Sequence, residues 1–349
     1  MPRRVGQNDP NQEFSAIGDD VRRRRVIAGW IGVLGIVGGA LWAGLGSIDR
    51  SPAHDVPFPV TVGPRLDMKM IARTKSSTGG ATALSLHSTS LVGAVAQQPK
   101  VYLVFWGSQW GAQGALSATG DPKNVAPALQ TFFANLYGSN DTWGTTLSQY
   151  CAGIAIGSTS CPATGVQLIQ HPTTSILAGV WFDTASAAPA AATQAQLGAE
   201  AIKAAVALNG SSKNDPNAQY VIASPSRTNP NKYKTGGFCA WHSSVSSSSY
   251  PAVGTVAYTN MPYLPDLGAS ACTTHSAPQP LDGYFSTETH EYAETVTDMW
   301  PSAGWLASGG SEIGDLCVNL DGYQTMAGVK YDVQGIWSNA VKGCVTNGT

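Results

Sequence analysis

Four consecutive arginines, Arg22 to Arg25, run directly into an uncharged stretch, Val26 to Ile48. This junction constrains the chain more than any other feature of the sequence. A run of this length is about sufficient to cross a ~30 Å hydrocarbon core as a helix, and basic residues flanking such a run stay on the cytoplasmic side. Residues 1–25 are therefore expected as a cytoplasmic tail and residues 26–48 as a single transmembrane anchor or an export signal. With the segment retained, the protein sits in the cell membrane with its C-terminal domain extracytoplasmic; with it cleaved, that domain is secreted.

Everything beyond residue 48 then folds in an oxidising compartment, and cysteine usage agrees. All six cysteines, Cys151, Cys161, Cys239, Cys272, Cys317 and Cys344, lie past the apolar run. Neighbours pairing in order is the expected connectivity: 151 with 161, 239 with 272, and 317 with 344. A zinc knuckle needs C-x-x-C pairs, and the sequence has none. Charged residues are only 12% of the 349 residues, against about a quarter in an average soluble chain. Past residue 25 there are 14 basic and 18 acidic side chains, a balance with no basic stripe, and nucleic acid is not an expected partner.

Residues 49–97, rich in Pro, Ser, Thr and Gly, read as a flexible linker centred on Ser76 to Gly80. The folded domain is expected over residues 98–349. Val101 to Trp106 is a continuous β-branched and aromatic run that suits a strand buried on both faces. Helical patterns follow within Asp121–Tyr150, over Thr193–Leu208 with Thr193 as N-cap, and over Asp282–Met299 with Ser286 or Thr287 as cap. Short strands are expected near Val166–Phe182, Tyr220–Ala223 and Gly254–Tyr258. Strands alternating with helices imply an α/β fold: a single three-layered domain with a mixed central sheet and disulfide-tied loops, the loops dominating after Trp300.

The segment that carries chemistry is Thr289-His290-Glu291-Tyr292-Ala293-Glu294-Thr295-Val296-Thr297-Asp298. On a helix, His290 and Glu294 share a face at i, i+4, about 5–6 Å apart at Cβ, within reach of one metal ion. The spacing is that of H-E-x-x-H, with a glutamate in place of the second histidine; Glu291 takes the place of the general base that deprotonates metal-bound water. The motif resembles that of gluzincin-like peptidases, in which a third ligand, a glutamate, arrives from a later segment; this resemblance implies Glu312, with Asp315 as a second candidate or an orienting group. So oxygen-rich a set calls for another imidazole, and His242, three residues past Cys239, ranks above His275 and His171.

The expected cofactor is therefore zinc, in a hydrolase acting on a peptide or protein. Calcium is the alternative, held by Glu294, Asp298, Glu312 and Asp315 with His290 incidental. A catalytic serine or cysteine is not expected, because no G-x-S-x-G elbow occurs and the disulfides use every cysteine. A different class of function, a non-enzymatic module binding cell-wall polymer, would draw on Trp106, Trp110, Trp241, Trp300 and Trp305 as a sugar platform.

The order of Val101–Ser108, Gly237–His242, Tyr258–Cys272, the 285–317 block and Ile336–Cys344 resembles the phosphate-induced/EXORDIUM-like proteins of plant cell walls. It is more similar still to their bacterial relatives, in which H-E-x-x-E-x-x-T-D precedes a G-W step and an acidic E-x-x-D-x-C stretch. Here those pieces are His290, Glu291, Glu294, Thr297-Asp298, Gly304-Trp305, Glu312, Asp315 and Cys317. The resemblance spans roughly residues 98–345 and implies an extracellular domain with a metallopeptidase-like site. The plant members lack the His-Glu pair that this chain has, and Met299-Trp300-Pro301 stands where the family has proline directly after the aspartate.

Overall fold

Val101 to Phe105 present no charged side chain to either face, and in the computed structural model all five are buried at the middle of a sheet. The structure describes residues 59–64, 83–138 and 141–348. The expected cytoplasmic tail and membrane segment lie outside these; among the described residues no helix is long and apolar enough to cross a membrane.

Six strands, β1 (Val60–Val62), β2 (Lys100–Trp106), β3 (Leu177–Asp183), β4 (Ala218–Ala223), β5 (Trp241–Ser247) and β6 (Val256–Met261), lie in the order β1-β5-β6-β4-β2-β3. Strands β6, β4, β2 and β3 are mutually parallel, β5 is antiparallel to β6, and β1 is antiparallel to β5. The chain is thus a mixed α/β protein with a central mixed sheet.

Helix α1 spans Val125–Asn135, α2 Gln194–Asn209 and α3 Asp282–Thr297. Thr193 caps α2 in a reciprocal capping box with Gln196. This helix packs on the face carrying Val245 and Tyr258, and Gly198 permits its approach: a Cβ there would come within 2.9 Å of Val62. Side chains alternate along a strand, so His242, three residues before Val245, faces the other way, toward α3. On that side α1 joins α3 through Phe132–Phe285 and Phe133–Tyr292 ring contacts at 5.3 and 5.9 Å.

A hairpin of β7 (Asp321–Met326) and β8 (Val329–Gln334) covers α3 from outside, β8 running along the helix. Helix α3 is consequently buried at all 16 positions, polar ones included. An ordinary surface helix buries one apolar stripe; this helix instead buries a histidine and three glutamates.

The three disulfides join Cys151 to Cys161, Cys239 to Cys272 and Cys317 to Cys344. Several expectations need correction. The folded unit reaches further toward the N-terminus than residue 98: β1 extends the sheet, Ser85–Leu86 pairs with Trp305–Leu306, and Leu84, Leu86, Ala94, Val95 and Ala96 are buried in the core. Apolar residues embedded among Ser, Thr and Gly suffice for edge pairing, so composition alone misplaces that boundary. Ser286 and Thr287 do not cap α3; they lie inside it, because the helix begins at Asp282. The chain after Trp300 is not all loop, since β7 and β8 form a six-residue ladder.

Candidate metal centre

Strand β5 lifts His242 onto the α3 side of the sheet, with the Cys239–Cys272 disulfide three residues upstream. Helix α3 brings His290, Glu291 and Glu294. The loop after it returns Glu312 and Asp315, and Gly314 lets that loop lie against the helix: a Cβ there would fall 2.7 Å from His290 Nδ1 and 2.9 Å from Glu294 Oε1. His242, His290, Glu291, Glu294 and Glu312 are fully buried, whereas the Asp315 side chain is 15% exposed.

His242 Nε2 lies 3.0 and 3.1 Å from the two oxygens of Glu312, and 3.9 Å from Glu294 Oε2. On the other side, His290 Nε2 lies 3.0 Å from Glu294 Oε1 and 3.8 Å from Asp315 Oδ1. The Asp315 N–H donates to Glu294 Oε1 at 3.1 Å, and the Glu312 N–H donates to Asp315 Oδ2 at 3.3 Å. His242, Glu294 and Glu312 form one set whose ligand atoms all fall within 4.8 Å of one another; His290, Glu294 and Asp315 form a second such set. The sequence groups His290, Glu294 and Glu312 around one ion; the structure instead places Glu312 with the histidine of β5 and Asp315 with the histidine of α3, Glu294 standing between them.

Gln334, at the end of β8, is a residue that sequence reading misses. Its Nε2 donates to the Gly314 carbonyl at 2.9 Å and to His290 Nδ1 at 2.8 Å. Rotating the amide would set two carbonyl oxygens against each other at Gly314, so the nitrogen belongs there. His290 Nδ1 is then an acceptor, and the neutral ring carries its hydrogen on Nε2. No motif marks Gln334; only the ladder that lays β8 along α3 brings it to the histidine.

Asp298 has a different role from the calcium ligand considered above. Its Oδ1 accepts the N–H groups of Ala303 and Gly304 at 2.9 and 2.6 Å, and its Oδ2 that of Ser302 at 2.8 Å, which fastens the turn after α3. Burial, with the Glu312 carboxylate adding to it, pushes Asp298 up to about 7, against the opposing pull of His242 and the backbone donors. Glu288, one turn before Glu291, is pushed well above the carboxylate range by burial, and neither oxygen has a hydrogen-bond partner among the described residues.

The other expected candidates separate from this centre. His171 meets Asp141 at 3.4 Å. His275 stacks on Tyr323 and meets Asp332 at 2.9 Å, forming with Asp282 a separate cluster near the start of α3. The tryptophans make no sugar platform: Trp106, Trp110, Trp241 and Trp305 are core residues, and Trp300 alone is partly exposed. Comparison with protein-family models, with curated proteins and with solved structures finds no match.

Proposed function

We propose that this chain is an exported metal-dependent hydrolase, a zinc peptidase by class, acting on a peptide or protein substrate outside the cytoplasm. The observation that carries the reading is the position of Glu294, whose carboxylate lies between two buried imidazoles supplied by different elements, His242 and His290. Imidazole and carboxylate are the donors zinc takes in hydrolytic sites. The three disulfides fit an oxidising compartment, and anchoring through residues 26–48 remains part of the proposal. So does kinship with the bacterial EXORDIUM-like proteins, for which the H-E-x-x-E helix and the E-x-x-D-x-C stretch are the support.

His242, His290, Glu294, Glu312 and Asp315 would hold the metal, which when bound lowers the pKa of a coordinated water to about 7. Glu291 lies on α3 next to His290 and three residues before Glu294, and would serve as the proton acceptor in hydrolysis. His290 would present Nε2 as a ligand with its hydrogen on Nδ1, and Gln334 would have to turn its carbonyl to that hydrogen and draw away from the Gly314 carbonyl to which it now donates. This is the orienting partner that metal-bound histidines ordinarily have.

A second reading is favoured by one observation, the complete burial of five of the six side chains. A non-enzymatic cell-surface or wall-binding module with a structural calcium ion would bury its site in this way. Glu291→Gln separates the two: it keeps metal and fold in both, abolishes hydrolysis in the first, and changes nothing measurable in the second. Native zinc content with Glu291→Gln as active as the native chain would remove Glu291 from the mechanism.

A further inference from the structure

Resting on the hydrolase reading, we propose that the centre takes two divalent cations, with the Glu294 carboxylate bridging them. His242 and Glu312 complete one position; His290 and Asp315 complete the other.

The donor distances divide this way. Ligand atoms about 2.0–2.2 Å from one zinc ion can be no more than ~4.4 Å apart. Within the first set His242 Nε2 is 3.0 and 3.9 Å from its carboxylates, and within the second His290 Nε2 is 3.0 and 3.8 Å from its own, so each imidazole lies within one ion's span of both of its carboxylates. The five groups do not merge into a single set with all atoms within 4.8 Å; they form two sets with Glu294 in both. Glu294 turns Oε1 to His290 and Oε2 to His242, the arrangement a bridging carboxylate needs when metals sit about 3.5–4 Å apart.

The two positions also differ in access. His242 and Glu312 are fully buried, while Asp315 reaches solvent, so the His290 position is the exchangeable one. One imidazole with carboxylates suits manganese as well as zinc, which supplies a spectroscopic probe.

The experiment is titration of the chelator-treated full chain with Mn²⁺, followed by binding stoichiometry and electron paramagnetic resonance. Two equivalents with an exchange-coupled spectrum are expected, and Asp315→Asn should reduce these to one equivalent with an uncoupled six-line spectrum. One equivalent in the native chain overturns the two-cation proposal and leaves the hydrolase reading standing. Two equivalents without coupling also overturn it, since the second ion then lies elsewhere, as at His275, Asp282 and Asp332. No binding at all overturns both.

Discussion

Replacing Asp298 by asparagine should have an effect on stability that changes sign with pH. The aspartate accepts three N–H groups, those of Ala303 and buried Gly304 on Oδ1 and that of exposed Ser302 on Oδ2. Asparagine keeps one oxygen for Ala303 and Gly304 and turns an NH₂ toward the Ser302 N–H, losing that hydrogen bond at a cost of about 0.5–1.5 kcal/mol. Against this stands the cost of ionising the native carboxyl. Its pKa rises from 3.8 to about 7 on folding, so its contribution to stability is full below pH 3.8 and is lost as pH rises through 7. A difference of about three pH units corresponds to roughly 4 kcal/mol. In the presence of chelator, Asp298→Asn should therefore be less stable than the native chain by about 0.5–1.5 kcal/mol at pH 4, and more stable by about 2.5–3.5 kcal/mol at pH 8. Urea denaturation midpoints at the two pH values measure this. Equal destabilisation at both would show that the three backbone donors, not burial and Glu312, govern the carboxyl.

Gln334→Leu strands two buried acceptors, His290 Nδ1 and the Gly314 carbonyl; denaturation should show a loss of about 2–6 kcal/mol, and a metal titration a 10–100-fold weaker affinity. Glu288→Leu removes a carboxyl without a hydrogen-bond partner among the described residues, so it should stabilise by about 1–3 kcal/mol; a loss of comparable size would mean the carboxyl makes a favourable interaction. Cys317→Ser with Cys344→Ser opens a loop of 27 residues, for which chain entropy gives about 3–4 kcal/mol. Because Glu312 and Asp315 sit just upstream, this pair should also weaken metal binding, whereas Cys151→Ser with Cys161→Ser should lower the melting temperature alone.

Some of this was legible from residue order. Thr193 and Asn209-Gly210 punctuate α2 at both ends, and the unbroken run at Val101 marks the middle of the sheet. His290 and Glu294 share a face because helical spacing requires it. Strand β5 was not legible, since Trp-His-Ser-Ser-Val-Ser-Ser reads as a polar loop until β1 and β6 flank it. The polar face of α3 gave no warning of its burial, because only the distant hairpin covers it. Asp298 resembled a ligand until the turn at 302–304 supplied its donors. Which carboxylate joins which histidine depends on a loop whose approach Gly314 permits, and spacing carries no trace of that.

The most direct test of a metal centre on α3 is anomalous diffraction at the zinc edge from zinc-loaded crystals of the protein. The account predicts anomalous density bonded to Glu294, with His242 and Glu312 on one side of it and His290 and Asp315 on the other. Density only at His275, Asp282 and Asp332, or none near Glu294, would contradict it.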